Sequence, residues 1–269
     1  MTKPKASLLT IVALVLLALA AGVFASLGRW QMSRAAERRV IAAEIDAGRR
    51  QTPLELTGRT PTQDLQPWRP AHVAGIWRND LSLLIDNRNL DGRPGLWLAT
   101  PLVLADGSAV LVLRGWFARP MMGQAMGQGA HRIPTPAGVQ SVTGELSAHV
   151  PRLFELWSLS GGSSGALPAG WSGQAPAQPA ITDLDALIRV QNLDIARLEA
   201  LSGLKFMPAV LLQKNDAGDG LTRVWPEPSV DSDKNVGYAV QWFGFAGIAV
   251  IAALGVALRA WRRRAQTAQ

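Results

Sequence analysis

The sequence predicts a membrane protein in which two transmembrane α-helices bracket a β-rich α+β extracytoplasmic domain. Residues 8–27 and 236–258 form apolar runs of 20 and 23 residues without a charged side chain. At a rise of about 1.5 Å per residue, each run can cross a hydrocarbon core about 30 Å thick. Between them, short apolar stretches alternate with turn residues, a pattern typical of strands.

These patterns divide the chain into a cytoplasmic tail at residues 1–7, a first helix at 8–27, an extracytoplasmic domain at 28–235, a second helix at 236–258 and a basic cytoplasmic tail at 259–269. The first run could instead be a cleaved signal peptide, since small residues suited to a cleavage site occur at 23–25. It is longer than the apolar core of such a peptide, which is about 7–15 residues. An uncleaved anchor is therefore the favoured interpretation.

The formal net charge of +7 does not indicate a nucleic-acid-binding protein, because of where the charges lie. All 20 acidic residues and 21 of the 27 basic residues fall within residues 28–235, whose net charge is +1. The remaining basic residues flank the two apolar runs, which predicts that both termini are cytoplasmic. Four arginines directly after the first run oppose this orientation, but long loops are translocated largely regardless of charge.

The side chains that commonly carry catalysis or bind metals are sparse. The chain has no cysteine, which excludes disulfides, thiolate metal sites and a cysteine nucleophile. The three histidines, His72, His131 and His149, form no helical ligand pair and are expected to be surface or hydrogen-bonded residues. The stretch "GGSSG" at residues 161–165 is a linker pattern without the strand-to-helix context of a serine elbow, and no phosphate-binding loop occurs. The sequence therefore predicts neither an enzyme nor a metal site.

The central domain is predicted to begin its sheet with four strands near residues 72–77, 81–87, 96–104 and 109–117. Two of the breaks contain Asp-Gly, a common hairpin turn, which indicates an antiparallel meander. Pro101 cannot donate a ladder hydrogen bond, so its strand is expected to be broken or at an edge. Further strands are predicted in "VQSVTGELSA", "ALIRVQ" and "PAVLLQK", a helix in "NLDIARLEALSG" and a flexible linker near 159–180.

Polar motifs end two of the predicted strands. "DNR" and "LRGW" supply a candidate partner or structural motif of Asp86, Arg88, Arg114, Gly115 and Trp116. Strand alternation places Arg114 and Trp116 on one face. An arginine on an apolar strand needs a partner, so we expect Asp86 to pair with Arg114 across the sheet, leaving Arg88 to point elsewhere. The alternative is a recognition patch for a partner protein or a propionate-bearing ligand.

An ordered series of motifs covers most of the chain. It comprises "LGRWQMSR", "GIW", "LIDNR", "GRPGLWLATPLVLADGSAVLVLRGWFARP", "DIARLEALSGL", "PAVLLQ" and "VWPEPSVDSDKNVGYAVQWFGFA". In this order, and with an apolar run at each end, the motifs resemble the surfeit locus protein 1 family, which assists the assembly of cytochrome c oxidase.

The resemblance implies a location and a role. The chain would be a multi-pass protein of the bacterial cytoplasmic (inner) membrane with its main domain in the periplasm. It would assist maturation of the oxidase subunit that contains haem a. Its partners would be cytochrome c oxidase subunit 1 and haem a synthase. The alternative is a haem a-binding carrier that delivers the cofactor to the oxidase.

The same resemblance places a possible haem a site at the start of the second apolar run. The family's candidate haem ligand is a histidine three positions before the tyrosine of a "YAxxW"-like motif. Tyr238 and Trp242 are present here, but Asn235 occupies the histidine position. Asn235, Tyr238 and Trp242 are therefore the candidate cofactor-binding residues, although an asparagine amide is a poor ligand for haem iron. Anchoring in the interfacial aromatic belt would also explain Tyr238 and Trp242.

Overall fold

The computed structural model describes residues 8–119, 132–134, 136–151, 181–184 and 187–266. The chain forms two compact units, a helix unit made of Met1–Glu44 with Glu227–Gln269 and a sheet unit made of Ile45–Pro226. The tail at residues 1–7, His131 and the linker predicted near 159–180 lie outside the described residues.

The described residues contain three α-helices, α1 (Leu8–Arg49), α2 (Ile195–Ser202) and α3 (Asp233–Gln266). In α1 and α3 the most apolar 18-residue windows have mean hydropathies of 2.8 and 2.0, so both helices are long and apolar enough to cross a membrane. At most 6% of either window is buried. The apolar side chains therefore face outward, which is what a helix in lipid requires. Both predicted apolar runs are confirmed as helices, and each helix extends beyond its run.

Aromatic side chains pack α1 against α3. The ring of Phe24 stacks on Trp242 with centroids 5.8 Å apart. Gly28 provides the space for close approach, because a Cβ atom there would lie 2.7 Å from the ring of Phe243. Ala239 is fully buried in the same contact region of α3. A small residue opposite a large one thus brings the two helix backbones together.

In the part of the chain that the structure describes, ten strands form two sheets. They are β1 (Leu54–Leu56), β2 (Pro70–Trp77), β3 (Leu83–Leu90), β4 (Arg93–Val103), β5 (Ser108–Ala118), β6 (Arg132–Pro134), β7 (Val139–Ser147), β8 (Ile181–Asp183), β9 (Ile188–Val190) and β10 (Lys205–Gln213). Eight of them follow the order β1-β2-β7-β10-β5-β4-β3-β9, while β6 and β8 form a separate pair.

The main sheet closes on itself. β2 pairs with β7 along its length and also with β4, through Ile76 opposite Val103 and Trp77 opposite Leu102. Five strands, β2, β7, β10, β5 and β4, therefore form a ring. One hydrophobic cluster contains buried residues from all five strands, among them Val73, Leu102, Val112, Val142 and Leu211. A cluster shared by every strand of a closed sheet occupies the interior of the ring.

Part of the outer face of the ring is also buried, by a second hydrophobic cluster that we call the outer cluster. It includes Trp97, Leu111 and Val210, and Leu198 of α2 packs against it. Sequence signals define this short helix well. The Asp194 side chain accepts a hydrogen bond from the Ala196 N–H, and Gly203 ends the helix with a φ of 69°. The predicted helix and its end at Gly203 are confirmed.

The strands predicted in the first half of the sheet are confirmed, but their arrangement differs in part. β3, β4 and β5 form an antiparallel meander, and Asp91-Gly92 makes the two-residue turn between β3 and β4. β2 is not a neighbour of β3, because it pairs with β7 and β4. β4 is continuous through Pro101, whose carbonyl accepts from the Arg78 N–H at 2.9 Å. Pro101, which has no N–H, therefore lies at the point where β4 changes its neighbour from β3 to β2.

Candidate functional site

The predicted ion pair between Asp86 and Arg114 is wrong. Asp86 instead pairs with Arg119 and accepts a hydrogen bond from the backbone N–H of Asn87. The physical reason is the strand order, since β4 lies between β3 and β5. Two strand spacings of about 4.8 Å each separate the two backbones. A register shift in β3 between Ile85 and Arg88 also alters the direction of the Asp86 side chain.

The prediction that Arg114 and Trp116 share a face is also wrong. Leu98 pairs with Gly115 and the next residue, Ala99, pairs with Leu113, so Arg114 is the extra residue of a β-bulge. The bulge reverses the faces to which the side chains after it point. Trp116 consequently packs in the outer cluster with Leu113, whereas the Arg114 guanidinium lies 4.9 Å from the ring centroid of Trp77 in the interior cluster.

Arg114 belongs to a buried charge cluster. Its Nη2 lies 3.5 Å from Asp219, and the same carboxylate accepts from Arg223 Nη2 at 2.7 and 2.8 Å. All three side chains are at least nine-tenths buried. Burial lowers the pKa of Arg114 to about 10, so the side chain remains protonated at neutral pH. One carboxylate thus binds two buried cations, while Arg114 Nε and Nη1 have no hydrogen-bond partner within the described part of the chain.

Arg88 is buried rather than free. Its guanidinium lies 4.7 Å from the ring centroid of Trp97, and its Nη2 donates to the carbonyl of Gln191 at 2.8 Å. Trp116 Nε1 donates to the carbonyl of Arg88 at 2.7 Å. Burial lowers the pKa of Arg88 to about 10. Arg88 therefore links β3, β5 and the segment after β9, and does not present its charge to a partner.

The "RGW" motif at residues 114–116 binds a later segment of the same chain. Trp116 and Thr222 exchange two backbone hydrogen bonds of 2.7 and 2.8 Å. Gly115 permits this approach, because a Cβ atom there would lie 2.6 Å from the Cβ of Leu221. The motif thus holds residues 219–223, which contain Asp219, the carboxylate partner of Arg114, and Arg223, which binds the same carboxylate. Within the described residues, the motif is engaged with other parts of the same chain, and its role as a recognition patch stays a prediction.

Sequence reasoning missed Asp219 and Arg223. The sequence did contain one signal, because a buried arginine requires a carboxylate partner. That partner is not Asp86. Asp219 lies 105 positions after Arg114, however, in a segment without helical or strand periodicity. Nothing local in the sequence identifies it as the partner.

The second group of candidates lies at the start of α3. The Nδ2 of Asn235 donates a 2.6 Å hydrogen bond to Oε1 of Gln31 on α1. Its Oδ1 is buried and has no hydrogen-bond partner among residues that the structure describes. Trp242 stacks on Phe24, whereas 54% of Tyr238 is exposed. Asn235 and Trp242 therefore face α1, whereas the side chain of Tyr238 is more exposed than theirs.

A small polar network lies at the start of α3. Arg38 Nη1 donates to the carbonyl of Asp231 at 2.6 Å. Lys234 Nζ lies 3.0 Å from the Asp231 carboxylate, and hydrogen bonds from Lys234 hold the pKa of that carboxyl below its usual value. One of the four arginines after the first apolar run is therefore tied to the entry of α3.

Comparison with known proteins identifies the family. The SURF1 family model matches residues 18–247, which is most of the chain. The chain belongs to the SURF1 family. This family is generally linked to cytochrome c oxidase assembly and is not a known enzyme family. The resemblance inferred from the ordered motifs is confirmed.

Two curated relatives share parts of the sequence. The SURF1-like protein of Rickettsia felis is 28% identical over 98 residues, which cover 36% of this chain and 42% of that protein. The SURF1-like protein of Rickettsia conorii is 27% identical over 116 residues, covering 41% and 47%. The chain thus spans less than half the length of the curated relatives it matches.

In this SURF1-family chain, the helix unit does not fit a haem ligated by imidazole. None of the three histidines belongs to Met1–Glu44 or Glu227–Gln269. The residue at the histidine position, Asn235, uses its amide nitrogen to bind Gln31. An amide oxygen is a weak ligand for haem iron compared with imidazole. The start of α3 therefore lacks the side chain that would ligate haem iron.

Proposed function

We propose that this chain is a membrane-anchored assembly factor for cytochrome c oxidase that assists maturation of the subunit containing haem a. Its membership of the SURF1 family is the single observation that carries this proposal. The proposed partners are cytochrome c oxidase subunit 1 and haem a synthase. The role requires binding and positioning of these proteins, and it needs no catalysed reaction.

The proposal includes a membrane topology. α1 and α3 would both cross the cytoplasmic (inner) membrane, with the sheet unit in the periplasm. Two crossings place both termini on the same side, and Arg262, Arg263 and Arg264 near the end of α3 favour the cytoplasm. Exposure of nearly all side chains in the apolar windows of both helices supports insertion in lipid.

We further propose that the chain acts as a scaffold and not as a haem a carrier that ligates iron at position 235. The contact between Asn235 and Gln31 supports this choice, because it gives the amide a structural role between the two helices. A polar pair between membrane helices contributes about 0.6 kcal/mol on average. Asn235 would thus stabilise the helix pair in place of holding a cofactor.

Deletion of the gene tests the assembly role. We expect cytochrome c oxidase activity in membranes to fall several-fold, because the haem a-containing subunit fails to mature, and wild-type protein supplied in trans should restore it. Oxidase activity and total haem a are measured separately, since loss of haem a synthesis would lower both. Normal oxidase activity in a deletion strain without a second SURF1-family gene contradicts the proposal.

An absorption spectrum tests the scaffold role. The protein, co-expressed with the enzymes of haem a synthesis and purified in detergent, should carry haem well below one per chain. Asn235→His should raise the Soret absorbance, because it supplies the imidazole that the helix unit lacks. Asn235→Ala is the matched control, which removes the amide without adding a ligand. A stoichiometric Soret band in the wild type that persists in Asn235→Ala would show a carrier with another ligand.

A further inference from the structure

Three side chains with the chemistry of a hydrolase triad meet on the outer face of the ring. Nδ1 of His72 lies 2.7 Å from Oε2 of Glu55, and Nε2 of the same ring lies 2.6 Å from Oγ of Ser141. The residues come from β1, β2 and β7. Glu55 is directly opposite His72 in the β1–β2 pair, and Ser141 is opposite Ala74 in the β2–β7 pair. Adjacent strands therefore position all three side chains.

The donor and acceptor roles of the three side chains determine which atoms carry protons. An ionised carboxylate only accepts hydrogen bonds, so the neutral imidazole must carry its hydrogen on Nδ1 to bind Glu55. Nε2 is then an acceptor, and the Ser141 hydroxyl donates to it. This is the arrangement in which a histidine removes a proton from a serine that attacks a carbonyl. We propose that Ser141 is a nucleophile activated by His72, with Glu55 as the positioning residue.

A backbone donor lies beside the hydroxyl. The N–H and C=O of Thr143 both point away from β2, toward Asn215 Oδ1 at 2.9 Å and the Lys214 N–H at 2.9 Å. Backbone groups two residues apart on a strand point the same way, so the Ser141 N–H also faces that edge. The β7–β10 pairing ends at Gly144 opposite Gln213. The Ser141 N–H thus lies beyond the last β10 pair, where it can donate to an oxyanion formed at the attacked carbon.

The surroundings of Ser141 indicate the substrate class. Ser141 is exposed, and its apolar neighbours on this face are Ala74, Ile76 and Val139, all of them exposed. Ile76 is 44% exposed and directly opposite Val139, which is 69% exposed. A short apolar strip therefore adjoins the hydroxyl and carries no charge. It suits the acyl or aryl group of a small uncharged ester.

The reaction follows from these positions. Oγ of Ser141 attacks the ester carbonyl carbon, a C–O bond forms, and the hydroxyl proton moves to Nε2 of His72. The bond to the alcohol oxygen then breaks, and that oxygen takes the proton from Nε2. A water molecule then attacks the acyl carbon and gives a proton to Nε2. The bond between that carbon and Oγ of Ser141 breaks, the acid is released, and Oγ takes the proton from Nε2. This inference is independent of the proposed assembly role.

A fluorophosphonate probe tests the proposal on the full chain in detergent. Oγ of Ser141 would form a P–O bond with release of fluoride, and peptide mass spectrometry would locate the label. Ser147 lies on the same strand and face but donates to the carbonyl of His149 at 2.8 Å. We expect Ser141 to react at least about tenfold faster than Ser147, and His72→Gln to slow labelling about 100-fold, the size of a general-base contribution.

Further variants separate activation from simple exposure. Ser141→Ala should abolish the label, whereas Ser147→Ala should leave it unchanged. Glu55→Gln should slow labelling several-fold. Glu55→Asp, which keeps the carboxylate, should restore most of the wild-type labelling rate, a rescue that a merely structural contact would not produce. Thermal unfolding of each variant confirms that it is folded. Labelling of Ser141 no faster than Ser147, or unaffected by His72→Gln, would overturn the proposal.

Discussion

Replacing Asp219 with Asn is expected to lower the free energy of unfolding by about 3–5 kcal/mol, the usual cost of breaking a buried ion pair. Asp219 is the carboxylate that Arg114 and Arg223 share, and all three side chains are buried. Asn keeps the size and one acceptor oxygen but removes the negative charge. Two protonated guanidinium groups would then remain in the same low-dielectric region without a buried counter-charge. Their desolvation is uncompensated in the folded state and absent in the unfolded state.

Asp216→Asn is the matched control for this prediction. Asp216 also lies near Arg223, at 3.6 Å, but its side chain is 89% exposed. An exposed pair contributes at most about 1 kcal/mol, because water and salt screen it. Chemical unfolding of both variants in the same detergent, followed by tryptophan fluorescence, measures the difference. Equal losses in the two variants would show that burial of the Asp219 cluster has no special effect on stability.

Gly95→Ala is expected to have the next largest effect, about 1–3 kcal/mol or more of stability lost through overpacking. A Cβ atom at this position would lie 2.2 Å from Nε1 of Trp116 and 2.5 Å from the carbonyl oxygen of Phe117. The indole can move only by breaking its hydrogen bond to the Arg88 carbonyl. The Phe117 carbonyl belongs to the paired strand and cannot move without disturbing the β4–β5 ladder.

Gly92→Ala distinguishes this clash from the general cost of replacing a glycine. Gly92 has a φ of 76°, but a Cβ atom there would meet nothing within 4 Å. Its replacement should therefore cost about 1 kcal/mol, from backbone conformation alone. The near-ultraviolet circular dichroism of Gly95→Ala should also change, because the Trp116 environment is altered. A loss in Gly95→Ala no greater than in Gly92→Ala would contradict the packing argument.

Local signals predicted most individual elements of the fold. The two apolar runs indicated α1 and α3, since no charged residue interrupts them. Asp91-Gly92 indicated a hairpin, and both residues adopt the positive φ that such a turn needs, 49° and 76°. Gly203 indicated the end of α2 for the same conformational reason. Each signal acts over a few residues, so it is visible without knowledge of the rest of the chain.

The pairing of β2 could not be predicted in the same way. Its apolar alternation showed that it was a strand with one buried face, but alternation contains no information about its neighbours. β2 meets β7 about 70 positions later and β4 at only two residue pairs. Closure of the ring therefore depends on strand curvature and on the burial of all five inner faces together.

The candidate sites show the same limit. The sequence indicated that Arg114 needs a carboxylate, but the bulge at that residue and the position of β4 decided that the partner is Asp219 and not Asp86. The sequence also identified Asn235 as a departure from the family's histidine, and the structure gave its amide a partner in Gln31. The lack of a serine elbow in a strand-to-helix context argued against catalysis, whereas Ser141, His72 and Glu55 meet only through strand pairing.

The sequence by itself determined the two apolar helices, the β-rich domain between them and the membership of the SURF1 family. These properties depend on composition, periodicity and the order of motifs, all of which are local or linear. Only the tertiary structure decided the closed ring, the buried arginine cluster and the contacts of His72. Each of these depends on side chains brought together from distant strands, and the free energy that selects such contacts comes from burial and charge neutralisation in the folded chain.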